Sequence, residues 1–237
     1  MTEIAERLSM SKNMAFRALT TLVDQGYLIR SESGRRYELG LRILELNDPD
    51  AAEPDLRALA MPAMSLMQAA SGETVVLTLR VGNLVVAIDG IEASATVRTR
   101  APLGSMYPLH ASPASRVVLA ALPDDEIERY LAEKSPLVKL TPQTPVSAAE
   151  LWKELRRIRA DGHALGTGDA NPGRRSVSFA VLDADRRPWG AITVGGPRER
   201  FTEERLAAVL PELKRLMQQL GEETRLFTAP EIASWAY

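Results

Sequence analysis

The chain has 237 residues, a formal net charge of −2, 45% hydrophobic and 25% charged residues, and no cysteine. That balance fits a globular protein of one large or two ordinary domains with a sizeable core. It excludes disulfides, thiol catalysis and a surface basic enough overall to coat nucleic acid. No apolar run approaches the roughly 20 residues of a membrane helix. The acidic, amphipathic start Met-Thr-Glu-Ile-Ala-Glu is no signal peptide, so a cytoplasmic location without membrane contact is expected.

In chain order, Thr2 can cap a helix over 3–8, with Ile4, Ala5 and Leu8 on one face. Ser9 and Met10 make a turn. Ser11 caps a second helix whose apolar positions Met14, Ala15, Ala18, Leu19, Leu22 and Val23 keep helical spacing, and Gly26 ends it as a left-handed cap. "YLIR" and "RYEL" around "SESG" read as a hairpin. Two helices followed by a hairpin is the order of a winged helix-turn-helix. The two prolines and five acids of 43–55 mark a hinge.

Residues 56–70 are predicted helical, with Leu56, Leu59, Ala60, Ala63, Met64 and Met67 on one stripe and a bend at Pro62. "ETVVLTLR" and "LVVAIDGI" form a hairpin around Val81-Gly82-Asn83, and "ATVRTRA" is read as a third strand. "APLGSMYPLHASPAS" reads as loop leading into a small-residue helix at 114–122, and a further helix starts at Pro123-Asp124. Ser147 and Glu150 make a capping box for a helix to about Ala160. Gly162, Gly166, Gly168 and Pro172-Gly173 mark a long loop. "SVSFAVLD" and "WGAITVGG" are strands turning at "ADRRP". A last helix over 203–224 buries Leu206, Val209, Leu210, Leu213, Met217 and Leu220, with a break or kink at Pro211. The aromatic tail beyond it is expected to dock. The expected class is α+β with a mostly antiparallel sheet. The expected divisions are 1–46 (the helix-turn-helix and hairpin), 47–71 (linker and linker helix), 72–224 (the larger α/β domain) and 225–237 (tail).

Charge is uneven along this order. From Ser11 to Tyr37 the bases Lys12, Arg17, Arg30, Arg35 and Arg36 face only Asp24 and Glu32, or 5 − 2 = +3, in a chain that is acidic overall. A reader of DNA puts the N-terminal end of its second helix into the major groove. Ser11, Lys12, Asn13, Phe16 and Arg17 occupy that end. Asn can pair with adenine, and Arg and Lys with guanine or phosphate. Arg35 and Arg36 sit at the hairpin tip, where they can hold the DNA backbone. A small protein-interaction module with ordinary surface charge is the alternative on these residues alone.

Further blocks sharpen the reading. "TEIAERLSMSKNMAFRALTTLVDQGYL", "YELGLRILEL", "GETVVLTL", "PLHASPASRVVLAAL", "LWKELRRIRADGHAL" and "PGRRSVSFAVLDADRRPWGAITVGGP" resemble, in order and over nearly the whole chain, an IclR-type transcriptional regulator. The resemblance implies a winged helix-turn-helix joined by a linker helix to a GAF-like mixed α/β effector domain. It implies no cofactor. Its implied partners are double-stranded operator DNA, a small organic or aromatic acid, and a second copy in a homodimer or dimer of dimers. Members usually carry one more helix before the one at Thr2. A translation start upstream of Met1 is the expectation, with a ligand-sensing module lacking autonomous DNA binding as the alternative.

The resemblance places an effector pocket between the sheet and the loop "GSMYPLHASPAS", with Leu103, Met106, His110, Ala111, Ser112, Ala114 and Ser115 on one side. The loop before Pro172-Gly173 and the strand from Ser176, with Ser178, lie on the other. A helix start near Ser112 would offer amides to a carboxylate. Here Ser176 stands where the family often has cysteine, Gly166 where it often has an acid, and Phe179 where a small residue is usual. Taken singly, each serine also suits a helix cap or a satisfied loop, and His110 a structural hydrogen bond.

Catalysis is not expected. The imidazoles are His110 and His163, and there is no Gly-x-Ser-x-Gly, Walker loop or zinc-type cluster. A Ser112–His110 pair at i, i+2 lacks attack geometry and an orienting acid.

Overall fold

The computed structural model describes residues 2–31, 36–39, 55–99, 103–169 and 172–229. By its internal contacts the chain divides into two units, Met1–Glu53 and Pro54–Tyr237. The hairpin tip with Arg35, most of the acidic 43–55 stretch and the end of the tail lie outside the described residues.

The first unit holds helix α1 (Thr2–Arg7), helix α2 (Lys12–Asp24) and the antiparallel pair β1 (Leu28–Arg30) and β2 (Tyr37–Leu39). Ser11 caps α2, its Oγ accepting from the Met14 amide at 3.3 Å. At the other end Gly26 lies at φ +76°. Its N–H bonds the Val23 carbonyl, and the Tyr27 N–H bonds that of Leu22. This 5→2, 6→1 pair of bonds is a Schellman close, and it needs the left-handed glycine. Ser9, between the helices, is itself left-handed at φ +51°, a strain that a glycine there would not carry. The buried core of the unit is thin: Ala5, Ala15 and Leu19. Leu8, Met14, Phe16 and Leu22 are exposed.

The second unit is built on one six-stranded sheet, ordered β5-β4-β3-β8-β7-β6 and antiparallel throughout. Its strands are β3 (Thr74–Val81), β4 (Leu84–Ile91), β5 (Met106–Pro108), β6 (Ala164–Gly166), β7 (Arg174–Leu182) and β8 (Pro188–Pro197). Helices α3 (Leu56–Ser71) and α7 (Glu203–Thr224) cover one face. Helices α4 (Pro113–Ala120), α5 (Asp124–Glu133) and α6 (Ala148–Asp161) lie on the other side of the core. With both faces covered, β3 and β8 are buried almost without a break and read as apolar runs rather than alternating ones.

The two faces have different chemistry. Val75, Leu77, Val177, Phe179, Ile192 and Val194 point at α3 and α7 and join Met64, Met67, Leu213 and Leu216 in one apolar cluster. Val76, Thr78, Ala87, Ser176, Ser178 and Thr193 point the other way, toward α4. All eight residues of α4 are buried, so a run of small side chains lets that helix lie close on the sheet. A bidentate ion pair ties the ends together: Arg200 Nε and Nη2 reach the buried Glu73 carboxylate at 2.7 and 2.6 Å.

Four sequence expectations change. Residues 95–99 form bends, not a strand. They are held by single bonds, such as the Thr74 hydroxyl donating to the Thr99 carbonyl at 2.6 Å, and not by a ladder. The third strand is instead β5, inside the stretch read as loop. The Gly-rich stretch after α6 contains β6, which pairs with β7 from Ala164↔Ser178 to Gly166↔Ser176. Helix α7 runs unbroken through Pro211, which lies on its exposed side. The buried stripe of Leu206, Leu213, Leu216 and Leu220 holds the helix across the lost hydrogen bond.

That last point has a measurable consequence. Proline in a helix interior is roughly 3 kcal/mol worse than alanine. Pro211→Ala is therefore expected to raise unfolding stability by about 1–3 kcal/mol, read from denaturant midpoints at unchanged slope.

Candidate functional site: a cavity under helix α4 and a basic helix start

On the first unit, Ser11, Lys12, Asn13, Phe16 and Arg17 are all exposed at the start of α2, with Phe16 53% accessible. The Ser11 Oγ is engaged as cap acceptor, so it holds the helix start in place. Arg36 is exposed, and its amide donates to Ser31 Oγ at 3.1 Å, closing the described base of the hairpin.

On the second unit a small half-open cavity of about 60 Å³ lies between the sheet and the start of α4. Val76 and Thr78 of β3, Ala87 of β4, Thr193 of β8 and Tyr107 of β5 form its sheet side. Ser112, Pro113 and Ala114 form the helix side, Gly166, Gly168 and Asp169 the rim after β6, and Arg174 and Ser176 the β7 wall. Gly166 is required here: a Cβ would lie 2.5 Å from both Pro113 Cγ and Ser176 Oγ. The acid that the family resemblance places at this position has no room in this packing.

The polar groups around the cavity are mostly committed. Thr78 donates to the Ala191 carbonyl at 3.1 Å, and Ser178 and Thr193 share a hydrogen bond of 2.8 Å. Ser112 Oγ accepts from the Ser115 amide at 3.1 Å and pairs with Ser115 Oγ at 2.7 Å. The Arg116 amide goes to the Ser112 carbonyl, and Pro113 has no N–H. Of the first amides of α4, only Ala114's is left outside these bonds. Asp169 is held by the buried Arg116, whose Nη2 lies 3.1 Å from its Oδ2, while Glu154 stands 3.8 Å from Arg116 Nε. Arg174 differs. Its Nε and Nη2 are buried, and neither has a hydrogen-bond partner among the described residues. Burial holds this guanidinium below its ordinary pKa, and the nearby Tyr107 acts in the opposite direction.

The residues expected at the effector site separate into two groups. Ser112, Ala114 and Ser176 line the cavity together. Leu103, Met106, His110, Ala111, Ser115 and Ser178 are not among its lining residues. Leu103 and Met106 are 59% and 50% exposed, and Ser178 is spent on Thr193. His110 is buried, and its Nε2 must donate to the Val138 carbonyl at 2.9 Å, so its Nδ1 accepts from the Tyr130 hydroxyl at 2.6 Å. Arg174, Tyr107 and Arg116 were not expected, whereas Asp169 belongs to the loop before Pro172-Gly173 that the resemblance places beside the pocket. For Arg174 a signal existed: period-2 alternation puts it on the same face as Ser176.

Comparison with known proteins agrees with both units. Residues 51–222 match the family described as bacterial transcriptional regulator IclR C-terminal, and residues 1–32 match the IclR helix-turn-helix domain. The chain belongs to the IclR family of bacterial transcriptional regulators. It is 27% identical over 223 residues to the HTH-type transcriptional regulator KipR of Bacillus subtilis, covering 94% of this chain and 88% of KipR. An IclR transcriptional regulator from Alicyclobacillus acidocaldarius superposes with a TM-score of 0.81 at 25% identity, over 94% of this chain and 89% of that one. An IclR homolog from Microbacterium hydrocarbonoxydans, solved with 4-hydroxybenzoate, shares the fold with a TM-score of 0.74 at 21% identity, over 94% and 90% of the two chains. As an IclR-family member the chain is a DNA-binding transcriptional regulator, and its relatives are regulators rather than enzymes.

The His110 network makes this regulator's stability depend on pH. Burial lowers the His110 pKa from its ordinary 6.5, against the Val138 bond that raises it, and nearby Arg116 adds to the lowering. The unfolded chain therefore takes up the proton first. The His110 contribution is fully present above 6.5 and is lost as pH falls below it. Denaturant melts at about pH 7.5 and 5.5 are expected to show lower stability at the acid value, by a margin that shrinks in His110→Gln.

Proposed function

We propose that this regulator binds operator DNA through α2 and the hairpin, and that a small organic or aromatic acid in the cavity under α4 sets its affinity. The observation that carries the sensing half is the cavity itself, walled by apolar side chains and hydroxyls with a cation on one side. The Microbacterium homolog holding an aromatic acid supports the reading. Residues 1–46 form the DNA reader, 47–71 the connection and 72–224 the sensor, ending in the tail 225–237. Ser11 fixes the start of α2. Lys12, Asn13 and Arg17 contact bases or phosphates beside Phe16, and Arg35 and Arg36 hold the backbone. A cytoplasmic homodimer, or a dimer of dimers, presents two such helices to successive major grooves of a near-palindrome. The acid acts because it binds one arrangement of the dimer better than another.

The test is fluorescence anisotropy with the protein's own promoter DNA, across a range of salt and with a panel of carboxylic acids. Arg17→Ala is expected to weaken binding by about 1–3 kcal/mol if it reads a base, and to lower the salt slope by about one if it holds a phosphate. Full affinity and an unchanged slope in that variant contradict the placement of α2 in the groove. Absence of salt-dependent DNA retention in the wild type favours a sensing module without autonomous DNA binding.

A further inference from the structure

Among the described residues, two arginines carry buried nitrogens without hydrogen-bond partners. Arg116 is one, but it is paired with Asp169 and lies near Glu154. Arg174 makes no ion pair among the described residues. Its orphan atoms are Nε and Nη2, and these share one edge of the guanidinium. That edge is the fork that takes both oxygens of a carboxylate in parallel hydrogen bonds. Burying a charge without a partner costs several kcal/mol, and native structures rarely leave such donors open without a ligand or a function to explain them.

The surroundings hold that fork in place. Gly195 lies beside it on β8. A Cβ there would come within 2.6 Å of Arg174 Nε and 2.8 Å of Nη2, so glycine is what lets the guanidinium lie along the sheet. Arg175, the next residue, faces the opposite way and is spent on the Phe201 carbonyl and Glu203, each at 3.0 Å. Asp169, the acid on the cavity rim, is already held by Arg116. Within α4 the helix start offers an anion the Ala114 amide alone, since Pro113 has no N–H and the amides of Ser115 and Arg116 are engaged by Ser112.

We propose that Arg174 is the carboxylate anchor of the sensor cavity. This rests on the reading of the cavity as an effector site, and it adds the anchoring residue. Arg174 is thus a specificity-determining residue. Lysine in its place keeps the charge and loses the fork.

The probe is formate, the minimal carboxylate, with the full chain. Formate is titrated by calorimetry and thermal melting against formamide and against sodium chloride at equal ionic strength. The expected result is saturable binding of formate, absent for formamide and chloride. Arg174→Met weakens it roughly tenfold or more. Without ligand, Arg174→Met melts no lower than the wild type, because a buried unpaired charge has been removed. Gly195→Ala keeps the charge, displaces the fork and weakens formate binding as well, which serves if Arg174→Met fails to fold. Equal formate binding in wild type and Arg174→Met, or none in the wild type, overturns the anchor. The two readings separate in the operator assay. Carboxylates that modulate operator binding equally in Arg174→Met leave the sensor intact and sink the anchor. Formate bound through Arg174, with no carboxylate changing operator affinity, keeps the anchor and sinks the sensor.

Discussion

The second unit depends on one constraint: β3 and β8, at the middle of the sheet, must be covered on both faces. Thr74–Thr78 of β3 and Pro188–Gly196 of β8 are buried on both faces. On one side α3 and α7 meet this demand with large residues, Met64, Met67, Leu213 and Leu216, and the packing is solid. On the other side α4 meets it with small ones, Pro113, Ala114, Ser115 and Ala120. Small residues let the helix approach closely, but they do not fill the space where the helix begins. The cavity lies at that point, and it is polar because the strand faces there carry Thr78, Ser176 and Thr193.

Charge follows from the same geometry. A cation buried beside an unfilled space is tolerable when something neutralises it. Arg116 has Asp169 and Glu154, and it fastens α4 to the segment after β6. Among the described residues, Arg174 has an open fork instead. The difference between the two arginines comes down to an acid that the described residues supply to Arg116 and not to Arg174. Gly166 and Gly195 complete the arrangement. The first excludes a side chain from the cavity wall, and the second gives the guanidinium its bed.

Much of this was legible in the residues. Caps and turns carry local chemistry, so Ser11, Gly26, Ser147 and the Gly82-Asn83 turn marked their elements. The stripes of α3 and α7 and the apolar runs of β3, β7 and β8 gave the layers. Two short strands were not legible: β5 and β6 have three residues each and pair with long neighbours alone, so only those neighbours define them. Pro211 misled because local propensity yields to a long buried stripe. The cavity was half legible. Ser112, Ala114, Ser176 and His110 all came from the resemblance, and His110 takes the structural reading its residue type also allowed, tied to Tyr130 and Val138. Arg174 and Arg175 look alike in the sequence. Strand alternation puts them on opposite faces, and the folded sheet shows that Arg175 meets Glu203 and Arg174 meets the cavity.

The most direct measurement is a crystal structure of the full chain grown with a small carboxylic acid. Density is expected in the cavity under α4, with the two carboxylate oxygens at hydrogen-bond distance from Arg174 Nε and Nη2. An acid seated on the α4 amides with the Arg174 fork still open, or one bound elsewhere in the molecule, would contradict it.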